Sequence, residues 1–329
     1  MAGQPRLVRF HIVDQVNIIG IPQIRNEDWR LVTISQTAHD ADSAMEWLAQ
    51  RHLLKNTMEC TNCNILCSLQ TYNQGVDGKR WACPGCAFRK SIREGSFFTR
   101  SHLPLTQIIM LMYCFAWDFP QILVKHEMGI QQDNTVLDWY NFCREDIGVF
   151  LERHATEIGG FDDNGEPSIV EIDESYYFHR KYHRGAWREG HWVFGGVERA
   201  TGKCFLVEVP DRTAATLEAL ILQHILPGSH IISDGWPAYV NIDQLGNGIY
   251  MHSVIVHQHN FVDPIDQDIH TQNIENLWMR AKRKLKRQSG TSRALFTSYL
   301  HEFQFRSSVE GNNVFGEFLL VIAEQYPCD

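Results

Sequence analysis

The apolar residues of this chain change period several times, and each change marks an element. From Asp40 to Leu54, Ala44, Met45, Leu48 and the Leu53–Leu54 pair recur at helical spacing, predicting a small helix after an extended start within residues 1–56. Pro104 to Trp117 is almost wholly apolar and predicts a buried helix. Phe119 to Met128 and Asp133 to Phe150 predict two more, separated by Gly129, with Val136, Leu137, Trp139 and Tyr140 supplying the apolar content of the second. Helix, short helix, glycine turn, helix suits a helix-turn-helix and a plain helical connector equally well.

A turn-rich stretch from Gly159 to Pro167 opens a different pattern, in which β-branched runs alternate with helical ones. Strands are predicted at Ser168–Asp173, His191–Glu198 and Cys204–Val209, then a helix at Ala214–Ile225 and a strand at His230–Ser233. A short helix at Pro237–Asn241, a strand at Ser253–His257 and a basic helix from Thr271 follow. Three strands, helix, strand, helix, strand, helix is the order of a ribonuclease H-like α/β core. In such an order the first and fourth strands lie side by side. Asp173 and Asp234 then emerge from adjacent strand ends, and the last helix brings Glu275 across.

Length and charge narrow the classes. A chain of 329 residues fits one main domain of about 150 residues plus smaller attachments. No stretch reaches the roughly 20 apolar residues of a membrane span, Gln107 to Phe119 being short and interrupted. The first residues lack the apolar core of a secretory signal, so the expectation is an intracellular protein with no membrane partner. Net charge is −9, which argues against a polyanionic partner until its distribution is considered. Between Leu277 and Arg293 stand seven basic residues and no acidic one, and Lys79 to Arg100 is a second basic cluster opposed only by Glu94. One basic run alone reads as a solvated helix face; two, each attached to a motif, point to phosphate contact and hence to DNA.

The nine cysteines split into a pattern and a remainder. Cys60–Cys63 and Cys83–Cys86 are two Cys-x2-Cys knuckles at the separation expected of a four-thiolate zinc site, and Leu69 to Trp81 between them reads as a hairpin turning at Gly75 and Asp77-Gly78. A structural zinc ribbon over residues 57–100 is the expectation. Cys67 is close enough to Cys63 to compete as a ligand. Cys114, Cys143, Cys204 and Cys328 stand alone and read as small apolar residues.

The acidic trio Asp173, Asp234 and Glu275 carries the candidate chemistry. Hard divalent cations take oxygen ligands from separate elements, and a pair of them, Mg2+ or Mn2+, suits phosphoryl transfer on a phosphodiester. Singly, each aspartate reads as a strand-end or turn residue. On the last helix, Glu275, Trp278, Lys282 and Lys286 share one stripe, with Arg280, Arg283 and Arg287 nearby as further DNA contacts. Ile274, Leu277, Ala281 and Leu285 form the neighbouring, core-facing stripe. Trp278 reads as packing or as a stacking partner for DNA. His252, His257, His259 and His270 read as polar lining of the cleft, His270 being closest to the trio.

Six segments carry a family resemblance: Val-Glu-Ile-Asp-Glu-Ser-Tyr ending at Tyr176, Gly-Gly-Val-Glu-Arg-Ala-Thr-Gly-Lys ending at Lys203, Asp-Arg-Thr-Ala-Ala-Thr-Leu ending at Leu217, Pro-Gly-Ser-His-Ile-Ile-Ser-Asp-Gly-Trp-Pro-Ala-Tyr ending at Tyr239, Phe-Val-Asp-Pro ending at Pro264, and His-Thr-Gln-Asn-Ile-Glu-Asn-Leu-Trp ending at Trp278. Together they resemble the DDE transposases of the eukaryotic Merlin superfamily and the related ISXO-type bacterial insertion sequences, over roughly Cys60 to Arg306. The resemblance implies a cut-and-paste DNA transposase acting on terminal inverted repeats and target DNA, with Asp173, Asp234 and Glu275 as the acidic triad. It implies a homo-oligomer on DNA, in the nucleus of a eukaryote or the nucleoid of a bacterium. Related insertion-sequence proteins place Asn at the third position, and Asn273 stands two residues before Glu275. Two other classes remain: a host-recruited DNA-binding protein that keeps the fold, and a zinc-ribbon adaptor. The expected order is a helical entry (1–56), ribbon (57–100), helical segment (101–158), catalytic domain (159–310) and tail (311–329).

Overall fold

The structure, a computed structural model, describes residues 8–178, 190–255, 269–287, 291–309 and 313–328. The chain divides into two compact units, Met1–Asp146 with Val309–Asp329, and Ile147–Ser308. The Phe-Val-Asp-Pro motif, His257 and His259 lie outside the described residues.

In the first unit, α1 (Ile21–Arg25), α2 (Leu31–Thr37) and α3 (Ala41–Gln50) precede a small sheet. Asp40 starts α3 through a capping box, its carboxylate accepting from the Ser43 amide at 2.7 Å. Strands β1 (Ser68–Thr71), β2 (Lys79–Ala82) and β3 (Arg89–Ser91) form an antiparallel meander, and the expected hairpin is its first turn, with Gly78 at φ +67°. Asp77 in that turn is buried because Arg93 donates to both its oxygens, at 2.5 and 2.7 Å. Helices α4 (Leu105–Ala116), α5 (Gln121–Glu127) and α6 (Asp133–Arg153) follow, with Gly129 at φ +62° in the turn. Because α6 runs unbroken to Arg153, the second unit begins within it at Ile147 and not at the Gly159 turn.

Residues 311–329, expected as a tail, contain a helix that belongs to this first unit. It is named α10 (Val314–Gln325), after α7 to α9 below, and buries Phe315, Phe318, Leu319, Val321 and Ile322. Phe315 stacks on Trp47 with ring centroids 6.2 Å apart, and Phe318 meets Phe115 at 5.2 Å. Beyond α10, the Tyr326 hydroxyl lies 3.1 Å from the Asp146 carboxylate, whose other oxygen is buried with no hydrogen-bond partner. Burial pushes Asp146 up to about 7.

In the second unit, β4 (Ile158–Gly159) pairs with β8 (Ile225–Leu226) in a two-stranded ladder. The main sheet holds β5 (Ile169–Tyr177), β6 (His191–Glu198), β7 (Cys204–Val209), β9 (His230–Asp234) and β10 (Met251–Ile255), in the order β10-β9-β5-β6-β7. The first three strands are antiparallel; β9 runs parallel to β5, and β10 to β9. The expected adjacency of the first and fourth strands is therefore present. β10 starts two residues earlier than expected and is described as far as Ile255, and β5 continues to Tyr177.

Alternation along the strands gives each sheet face its own core. Val170, Ile172, Phe194, Phe205 and Ile231 pack with Leu217 and Ile221 of α7 (Ala214–His224). Val193, Leu206 and Tyr177 pack on the other face with α8 (Gln272–Arg287) and α9 (Arg293–Ser308). α8 buries Ile274, Leu277, Trp278, Ala281 and Leu285, the expected core stripe with Trp278 added to it. The inner edge of α8 is tied to α9 by Lys284, which pairs with the nearly inaccessible Glu302 at 2.6 Å.

Candidate active site and metal centres

Register determines where the two aspartates stand, Asp234 at the end of β9 and Asp173 within β5, which continues past its expected end to Tyr177. The β5–β9 ladder ends at Glu171↔Ile232, so Asp173 and Asp234 lie level, each two residues further on and on the same face. That face is the one α8 covers. Trp278 crosses the sheet from α8 and donates its indole N–H to Asp173 Oδ2 at 3.0 Å. It can do so because Gly195 opposes Asp173 in register: a Cβ at 195 would come within 2.7 Å of the Trp278 ring. Burial, reinforced by the charges of Glu174 and Asp234, pushes Asp173 up to about 7. Glu174 is also raised, by burial and then by Asp234. Glu174 alternates to the opposite sheet face, where it lies beside the Tyr239 hydroxyl. The Asp234 carboxylate accepts from the Trp236 amide at 2.9 Å. A carboxyl with raised proton affinity holds excess negative potential, which a divalent cation relieves.

The helix stripe runs as the sequence predicts, with a division of exposure along it. Glu275 is exposed in the first turn of α8, and Trp278, one turn on, is buried. Lys282 is half-buried: its ammonium donates to Ser175 Oγ at 2.5 Å and lies 5.1 Å from the Tyr177 ring centroid. Burial lowers its pKa, and the charges of Asp173 and Glu275 oppose that shift. Lys282 thus faces the acidic site, whereas Arg280, Arg283, Lys286 and Arg287 face solvent. Asn273 points elsewhere. Its amide nitrogen donates to Glu171 Oε1 at 2.6 Å, so its side chain is engaged away from Asp173.

Glu171 is the residue that sequence reasoning passed over. It is fully buried, and it accepts from the backbone amides of Asn273 at 2.8 Å and Ile274 at 3.0 Å, both in the first turn of α8. Arg199 adds two bonds to Oε1, at 3.0 and 2.8 Å. A carboxylate on β5 therefore caps the orphan N–H groups of α8 and favours the positive end of its dipole. His270 belongs to this cluster: its carbonyl accepts from Arg199 at 3.2 Å, and its ring Nδ1 accepts from the Gln272 amide at 3.3 Å. His252 bonds the Ser233 hydroxyl across β9 and β10 at 2.9 Å. Alternation alone makes Glu171 an ordinary polar strand position, and only the placement of α8 shows otherwise.

In the first unit Cys60, Cys63, Cys83 and Cys86 converge, with all four sulfurs within 4.8 Å of one another. Sulfur separations of 3.5, 3.4 and 3.8 Å match the roughly 3.8 Å edge of a tetrahedron of thiolates about 2.3 Å from one zinc ion. Amides of Asn62, Gly85 and Phe88 point at the Cys60, Cys83 and Cys86 sulfurs at 3.3–3.4 Å, offsetting thiolate charge. The donor set fits zinc. Cys67 is buried nearby and stands outside this group.

Comparison with known proteins decides the family. The profile of the ISXO2-like transposase domain matches residues 165–308. An uncharacterized transposase-like protein of Haemophilus influenzae is 30% identical over 104 residues, which span 32% of this chain and 80% of that protein. The chain belongs to the ISXO2-like transposase family. The matched domain contains Asp173, Asp234, Glu275 and the network around Glu171, whereas the four cysteines precede it. Among solved structures, the catalytic core of bovine immunodeficiency virus integrase is 16% identical, with a TM-score of 0.27, covering 40% of this chain and 80% of that one. The HTLV-2 integrase catalytic core in complex with magnesium is 16% identical, with a TM-score of 0.24, covering 40% and 82%. No helix among the described residues is long and apolar enough to cross a membrane.

Proposed function

We propose that this protein is a DNA transposase that cuts at the terminal inverted repeats of its own element and joins the freed 3′ ends to target DNA. The observation that carries this reading is the pair Asp173 and Asp234, level on one sheet face, with the Asp173 carboxyl raised to about 7 and α8 lying across it. Asp173, Asp234 and Glu275 would hold a pair of magnesium or manganese ions. Two such ions, when bound, activate the attacking oxygen and stabilise the leaving oxygen of a phosphodiester. The chain's own groups do the rest. Trp278 fixes one Asp173 oxygen, Lys282 places a positive charge beside the site, and Glu171 anchors the helix that presents Glu275. Arg280, Arg283, Lys286 and Arg287 are exposed along α8, where a phosphate backbone would run.

The strand order β10-β9-β5-β6-β7 supports a ribonuclease H-like core for this chemistry. In the first unit, Cys60, Cys63, Cys83 and Cys86 would hold a structural zinc, and α5–Gly129–α6 offers a helix-turn-helix for recognising the repeat. The protein would act as a homo-oligomer, one copy per element end, in the nucleus or nucleoid where its DNA lies. Kinship with the Merlin superfamily is part of this proposal, motivated by the six quoted motifs. The test is cleavage of DNA carrying the element's ends, with magnesium or manganese. Asp173→Asn and Asp234→Asn are expected to bind that DNA as the wild type does and to cut it at least about a thousandfold more slowly. Undiminished cutting by either variant rejects the two-cation site.

A further inference from the structure

We propose that Tyr176, Trp192, Arg212 and Trp236 form a stacking platform that holds one unpaired nucleotide of the DNA beside the acidic site. The proposal rests on the transposase reading above. The four residues come from separate segments of the second unit: the end of β5, the start of β6, the turn after β7, and the turn two residues past Asp234. Register places Tyr176 opposite Trp192, with ring centroids 4.8 Å apart at 50°. The Arg212 guanidinium carbon lies 3.8 Å from the Trp192 ring centroid and 4.3 Å from that of Trp236. Trp236 is held at two points. Its backbone amide donates to Asp234, and its indole N–H donates to the Arg212 carbonyl at 3.3 Å.

Three features make this arrangement a site for a ligand. First, Tyr176 and Trp236 are each 36% exposed, so part of each ring meets solvent. The single indole donor of Trp236 is already satisfied, so its open face offers only stacking. Second, the Arg212 guanidinium lies against two aromatic faces with the Glu174 charge nearby, and among the described residues it donates no hydrogen bond, which leaves its edge donors for a phosphate. Third, Trp236 follows Asp234 by two residues and its backbone amide donates to that carboxylate, so the platform stands at the sheet edge that carries Asp234, with Tyr176 and Trp192 on the face opposite the carboxylates.

The chemistry selects the occupant. Aromatic faces accept any base, and a guanidinium edge accepts the phosphate attached to it. A base inside a duplex has both faces covered by its neighbours, so only an unpaired or extruded one can stack here. A small organic cation would suit the rings but is repelled by Arg212. Unstacking a base next to the reacting phosphodiester also frees the backbone to bend toward carboxylates set on the sheet.

The experiment uses the full-length protein without divalent cations and two probes, a short oligothymidine and a blunt duplex. Affinity is read by fluorescence anisotropy, and stacking by quenching of tryptophan emission. Oligothymidine is expected to quench the wild-type emission. Trp236→Ala is expected to bind oligothymidine about tenfold more weakly, and Trp236→Phe to restore most of that loss, while both bind the duplex as the wild type does. Arg212→Lys, which keeps the charge but loses the planar stack, is expected to behave like Trp236→Ala. Circular dichroism checks that each variant is folded. Duplex binding combined with oligothymidine affinity that is indifferent to Trp236 overturns the platform alone. Failure of the wild type to bind either probe overturns the transposase reading and the platform together.

Discussion

Glu171 takes hydrogen bonds from a side chain and two amides of α8 and from an arginine following β6, so one carboxylate joins helix, strand and turn. Truncating it to alanine removes from a buried place the acceptor that Arg199 and the α8 amides share. Glu171→Ala is expected to lower stability by about 3 kcal/mol, read from the urea midpoint. Glu171→Gln keeps the shape and should lose less. The same network separates the two candidates for a third cation ligand. Asn273 is committed to Glu171, and it lies about 200° around the helix from Glu275 by the 3.6-residue repeat. Glu275→Gln is expected to abolish cleavage. Asn273→Ala should reduce it only modestly, through the helix cap, as measured in single-turnover assays on end DNA. Asp173 and Asp234 were legible in the sequence because each ends a β-branched run. Glu171 was not, because capping by a distant strand leaves no trace in local spacing.

At the scale of elements, local chemistry was legible and distant assembly was not. Two Cys-x2-Cys knuckles with a hairpin between them announce four convergent sulfurs, since each knuckle fixes two thiols in one tight turn. The sheet that the two cysteine knuckles flank has three short strands, β1 to β3, too few residues to bury a core of their own, so a bound ion's binding energy would be folding energy here. Metal analysis is expected to find one zinc per chain. Cys60→Ser should lose it and unfold the ribbon while the Ile147–Ser308 unit keeps its thermal transition, a pair of outcomes that calorimetry separates. By contrast, the aromatic cluster at Trp236 and Arg212 draws on four segments spaced along the sheet, and no window of sequence contains it. The amphipathic stripe of α8 was readable in full, yet the orientation of Lys282 toward Ser175 was not. Spacing gives the face a residue shares, while burial depends on what crosses that face.

For the molecule as a whole, Asp146 gives a pH dependence with a definite sign. Its folded-state carboxyl is raised to about 7 from the usual 3.8, so the native state binds a proton that the unfolded chain releases. Its contribution is fully present below about pH 4 and is lost as pH rises through about 7. The wild type should therefore lose stability from this group across that window, on the order of 2 kcal/mol after allowance for relaxation. Asp146→Asn should flatten the slope, as seen in denaturant midpoints from pH 4 to pH 8. The strand order was within reach of the sequence because consecutive strands and a parallel return leave few topologies. The fate of the last residues was not, since an apolar stretch such as Val314–Gln325 does not name its neighbours.

The position of α10 has a temporal consequence. During synthesis the ribosome emits Met1–Asp146, then the whole of Ile147–Ser308, and only then the helix whose Phe315 and Phe318 complete the aromatic core around Trp47 and Phe115. The second unit can therefore finish folding on the nascent chain, whereas the first must wait, with its apolar face open, until α10 has emerged. The unit that carries the cysteine cluster matures after the one inserted into it, and a chain broken between Ser308 and Val314 would yield a folded second unit without a completed first one.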